Sequence, residues 1–119
     1  MKKLVVVCFG ILFFSCGEPE LKHVPDDIIP KNHMIDLLVD IHLSDAIIAT
    51  KKFQTNKHEY QIEGYYAYLY EKHGYTRQEI DSSIAFYSRY PAEYSKMYDQ
   101  VLEKLSTIQT YYEKKDTIN

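Results

Sequence analysis

The chain contains no tryptophan, only two cysteines, and no apolar run long enough to cross a bilayer as a helix. Lack of tryptophan weakens any reading of its aromatic residues as a platform for stacking sugars. The longest apolar run, Leu4 to Phe14, has the length of a secretion-signal core. No basic stripe offsets the formal net charge of −3, which argues against nucleic acid and against simple adhesion to anionic lipid. Internal repeats, low-complexity tracts and alternating strand patterns are missing too. Gly64 and Gly74 form no phosphate loop, Ser82 and Ser83 lack a glycine-rich elbow, and no nucleophile constellation stands out. An enzyme is not indicated, and no cofactor is implied.

What is present begins at the amino terminus. Lys2 and Lys3 precede the apolar core, small Ser15 follows it, and Cys16-Gly17 comes next. Phe13-Phe14-Ser15-Cys16 resembles a lipobox, the motif at which bacterial lipoproteins are cleaved and acylated on cysteine; Phe13 stands where leucine is usual. Residues 1–15 are therefore expected to be a cleaved signal, and Cys16 the lipidated residue. Cleavage removes two lysines and no acid, taking the net charge from −3 to −5. Cys8 leaves with the signal and Cys16 is consumed by acylation, so apolar burial alone must hold the mature fold. The competing reading, an uncleaved cytosolic protein with both thiols free, leaves the apolar run without a purpose. The expected address is the cell envelope, membrane-anchored, at the outer membrane.

Residues 16–29 carry Pro19, Pro25 and four acids without helical periodicity, and are expected to form an extended linker. Residues 30–114 form the helical domain, and 115–119 a frayed tail. The first helix is predicted over Lys31 to Lys52, with Met34, Leu37, Leu38, Ile41 and Ile48 on one face. Ile35, Val39, Leu43 and Ala46 widen that arc and leave only His33, Asp36, Asp40 and Ser44 as a polar strip, the mark of a central helix. After a turn over Phe53 to Lys57, a second helix is predicted from His58 to His73, closed by Gly74. Thr76 and Glu79 form a capping box for a third, short helix with Ile80, Ser83, Ile84 and Tyr87 inward. Pro91 stops it and opens the last helix, predicted to Lys114, with Tyr94, Tyr98, Val101, Leu105, Ile108 and Tyr112 on its inner face. The fold class is all-α, a compact bundle of about four mostly antiparallel helices.

Ile29-Pro30 with Met34, Leu38, Asp40, His42, Leu43 and Ala46 resembles the opening of the domain-of-unknown-function family DUF4296. His73-Gly74, Ser83, Tyr87, Pro91, Tyr98, Val101 and Leu105 resemble its second half. The resemblance implies a small lipoprotein of a Bacteroidetes-type Gram-negative bacterium, in keeping with the lipobox, and brings no activity with it.

Two sets of residues invite a functional reading. His42 and Asp45 lie three apart on the central helix and are expected to be its buried polar pair. They could be a tuned acid–base pair or half a metal site, or simply an interior pair satisfied by a tyrosine hydroxyl. His33, Asp36 and Asp40 could hold a cation but read more simply as a solvated face, and His73 suits the carbonyl end of its helix. Among twelve tyrosines, Tyr60, Tyr68 and Tyr90 fall off the inner stripes and are candidates for a protein interface. The expected function is a non-catalytic envelope lipoprotein that binds another envelope protein. The alternative is a ligand- or metal-binding, perhaps hydrolytic, lipoprotein centred on His42 and Asp45.

Overall fold

In the computed structural model, residues 17–52 and 59–117 are described, and they contain four helices and no strand. They are α1 (Lys31–Lys52), α2 (Glu59–His73), α3 (Arg77–Tyr87) and α4 (Pro91–Thr117). The all-α bundle expected from the periodicities is the fold observed. Cys16 and the turn at Phe53 to Lys57 lie outside the described residues.

α1 is the central element. Met34, Ile35, Leu37, Leu38 and Val39 are all buried, because a helix apolar around most of its circumference must be covered on several sides. α2 and α4 both pack against it. α2 runs antiparallel to α1: Asp40 pairs with His73 near one end, Asp45 with Tyr66 farther along. The surround ends before α1 does. Asp45, Ala46, Ile47, Ala49 and Thr50 are exposed, whereas Ser44, placed by its polarity on the wet strip, is buried.

The corners follow their local chemistry. Gly74 adopts φ +69°, the left-handed conformation that favours glycine, and its amide donates to the Tyr70 carbonyl at 2.9 Å. Thr76 Oγ1 accepts from the Glu79 amide at 3.3 Å, and Glu79 Oε2 accepts from the Thr76 amide at 2.7 Å, so the capping box is complete. α3 ends at Tyr87, and tight turns at Ser88, Arg89 and Tyr90 lead to Pro91 as the first residue of α4. α4 continues to Thr117 where a frayed end was expected after Lys114.

The segment ahead of α1 does not behave as a spacer. Ile28 and Ile29 are buried, and Leu21 and Val24 pack on the same core. The Ile29 amide donates to Ser83 Oγ at 3.0 Å and its carbonyl accepts from the Tyr87 hydroxyl at 2.7 Å. Residues expected to be linker therefore form one wall of the core. Aliphatic side chains without helical or strand period still bury apolar surface once the bundle offers them a face.

Candidate functional site

An open groove of about 820 Å³, lined by several charged side chains, lies between α1, the end of α2 and the middle of α4. α1 contributes His33, Asp36 and Asp40 at one-turn spacing, α2 contributes Lys72 and His73, and α4 contributes Glu103 and Lys104. Val39 and Ile108 add apolar lining. Asp40 Oδ2 accepts from Lys72 Nζ and from His73 Nε2, each at 2.7 Å. Burial raises the Asp40 pKa, but the hydrogen bonds and charges of Lys72 and His73 outweigh it and leave the carboxyl below its ordinary value. The same contact raises Lys72.

The remaining groups of the strip are also engaged. Asp36 pairs with Lys104 across the groove, and His33 Nδ1 shares a 2.6 Å hydrogen bond with the Tyr75 hydroxyl. The solvated strip of the sequence is thus a seam of cross-helix pairs. Asp36 and Asp40 of α1 each face a cation of a neighbouring helix, an arrangement that neutralises charge. Among the described residues no group of three or more His, Cys, Asp or Glu is placed to hold a metal ion.

His42 and Asp45 are not brought together as a buried pair. The His42 ring meets Tyr98 of α4 edge-on, with centroids 5.8 Å apart. Asp45 is exposed and accepts from the Tyr66 hydroxyl at 3.1 Å. Three residues on a helix differ by about 60° in direction, enough here to send one side chain to α4 and the other to α2. Asp45 also lies where α1 has emerged from its neighbours, so position on the apolar arc did not guarantee burial. Burial and the Asp45 contact raise the Tyr66 pKa.

Of the interface candidates, Tyr68 is exposed, with Lys72 Nζ 6.0 Å from its ring centre. Tyr90 is half-buried against Phe86, 5.3 Å between centroids. Tyr60 lies in α2, and its side chain is outside what the structure describes. Sequence periodicity missed the more exposed aromatic pair. Tyr111 and Tyr112 are 64% and 58% exposed, and Leu102 is 61% exposed. Tyr112 was expected on the inner face, and the three-and-four spacing does place it below Ile108; the neighbours simply do not reach that far. Tyr94 and Tyr98 show the opposite behaviour, packed edge-on at 5.0 Å, with burial and the hydrogen bond to Tyr98 pushing Tyr94 up to about 12.

A second groove, about 680 Å³, opens between α2 and α3 over Leu37, Ile41, Leu69, Ile80 and Ile84, with Arg77 and Asp81 at its rim. No described helix is long and apolar enough to cross a membrane. Compared with known proteins, residues 25–111 match the profile of a family described as "Domain of unknown function (DUF4296)". No curated protein and no solved structure matches the chain.

Proposed function

The chain belongs to the DUF4296 family of domains of unknown function, and from its own residues we propose a lipid-anchored, non-catalytic protein-interaction module of the bacterial cell envelope. One observation carries the interaction part: Tyr111 and Tyr112 stand exposed on the last turns of α4, past Ile108, its last residue packed on the core, and Leu102 is exposed on the outer side of the packed part. Tyrosine is enriched in protein interfaces because its ring buries area at low entropic cost while its hydroxyl stays solvated or paired. Tyr68 and Ile47 add exposed apolar surface on α2 and α1. The polar groove points away from catalysis, since Asp36 and Asp40 on its α1 wall are held by Lys104, Lys72 and His73.

The anchoring part rests on Lys2-Lys3, the Leu4–Phe14 core and the Ser15-Cys16-Gly17 junction. Diacyl attachment at Cys16 supplies the second chain that stable anchoring requires. The natural partner is another envelope protein, met at the outer membrane. Crosslinking followed by purification of the tagged protein from its own envelope tests the proposal, with Cys16→Ser as control. Recovery of one dominant partner with the parent and its loss with Cys16→Ser is expected. An uncrosslinked monomer from both preparations overturns the adaptor reading.

A further inference from the structure

The segment that joins the proposed lipid site to the bundle is docked on it along most of its length. Ile28 and Ile29 are core residues, and Leu21 and Val24 pack against that core. Both backbone polar groups of Ile29 are held by α3, through Ser83 and Tyr87. On the other side of Pro30, Lys31 Nζ pairs with Glu93 in the first turn of α4 at 2.6 Å. Glu20 also reaches the neighbourhood of α4, where its charge adds to that of Glu93 at Lys96. The chain therefore enters the fold beside the first turns of α4.

Docking changes the reach of the anchor. Were residues 17–29 free, the bundle could drift about 45 Å from the acylated cysteine at full extension. With the chain captured from Leu21 onward, only Gly17–Glu20 are left, a leash of about 14 Å. The 27 residues of α4 span about 40 Å, so its two ends cannot both be held within that leash unless the helix lies flat on the lipid. A helix lying in the interface needs a free apolar face. That face of α4, with Met97 and Val101, is already buried in the bundle. The apolar side chains left exposed do not make a second such face, because Leu102 and Tyr111 are nine residues and about 180° apart on the helix, and Lys96, Asp99 and Glu103 are exposed and better solvated than inserted.

We infer that the docked segment is an orienting strap: it seats the first turns of α4 against the bilayer that carries the Cys16 lipid and holds the Tyr111–Tyr112 end away from it. This rests on the acylation of Cys16 proposed above. It assigns the membrane-facing surface to the Lys22, Lys31 and Lys96 end of the molecule, and leaves the exposed aromatic end free for a partner standing off the membrane.

The test uses the protein expressed from its full chain, extracted with detergent from its own envelope and mixed into phosphatidylethanolamine vesicles with an energy-transfer acceptor on some headgroups. With Cys16 acylated and Cys8 removed with the signal, a single introduced thiol takes the donor dye, at Ala92→Cys or at Glu113→Cys. Transfer from position 92 several-fold stronger than from position 113 is expected. Inserting about ten Gly/Ser residues between Gly17 and Glu18 adds about 17 Å of reach and should weaken transfer at position 92 without changing the melting temperature. Vesicle-bound protein with equal transfer from both positions, or no response to the insertion, overturns the strap. Protein that fails to bind vesicles overturns acylation at Cys16 instead, and the strap with it.

Discussion

Tyr87 donates its hydroxyl proton to the carbonyl oxygen of Ile29 across 2.7 Å, joining positions 58 residues apart. Ile29 is 2% exposed, and its amide is held by Ser83 Oγ, which in turn donates to the Glu79 carbonyl at 2.7 Å. The pre-helical chain cannot shed these partners for water without leaving the core, which makes the contact a latch for the strap. It also accounts physically for two residues in the family resemblance that looked merely apolar-periodic, Ser83 and Tyr87. Burial raises the Tyr87 pKa and keeps the phenol protonated as the donor.

Tyr87→Phe leaves the Ile29 carbonyl unpaired in the core and should cost about 1–3 kcal/mol, read by thermal or urea unfolding. Ser83→Ala strands the Ile29 amide at a similar cost. Because both variants act on one residue, the double variant should fall short of the sum of the two. Additive effects would mean that the two bonds do not share a latch.

Acid should loosen α1 from both of its neighbours. Hydrogen bonds from Lys31 and Lys96 hold Glu93 at about 2, well below its ordinary 4.5, and Asp40 is held below 3.8 against its burial by Lys72 and His73. A carboxyl with a depressed folded pKa contributes stability that is complete above its unfolded pKa and lost as pH falls through the folded value. Stability should therefore be flat above pH 4.5 and decline toward about pH 2. Glu93→Gln should flatten the decline while lowering stability at neutral pH. An unchanged acid limb in Glu93→Gln would contradict this assignment.

The start of α3 depends on a short stretch of chain. Thr76→Ala removes the acceptor for the Glu79 amide and should cost about 1 kcal/mol. Gly74→Ala, at φ +69°, should also cost about 1 kcal/mol through backbone strain, although nothing lies within 4 Å of the added methyl. Circular dichroism during thermal unfolding measures both. A stabilised Gly74→Ala protein would show that the corner is not left-handed.

Asp45→Asn keeps an oxygen for the Tyr66 hydroxyl and changes no buried group, so its stability should stay within about 0.5 kcal/mol of the parent. A loss of about 3 kcal/mol, the cost of breaking a buried charge pair, would restore the interior acid–base pair that the sequence suggested.

Legibility followed range. The corner at Gly74-Tyr75-Thr76 and the first residue of α4 were readable because their signals act within a few residues, through caps and a proline ring. The central role of α1 was readable because its apolar arc was too wide for one partner. Asp45 and Tyr112 were misplaced for one common reason: periodicity says which face points inward, not where the neighbouring helices end. The docking of Leu21, Val24, Ile28 and Ile29 has no period at all, and follows only from the shape of the assembled bundle. The pairing of Asp40 with Lys72 and His73 likewise joins the polar strip of α1 to the last turn of α2, a contact between helices that the period within either helix does not show.

The most direct test of the account places a photocrosslinking amino acid at Tyr111, at Tyr112 or at buried Tyr87, in the lipidated protein in its own envelope. The account predicts one discrete adduct from positions 111 and 112, absent from position 87 and lost with Cys16→Ser. Adducts of equal yield from all three positions, or none from the end of α4, would contradict the claim that this end is where a lipid-anchored module meets its partner.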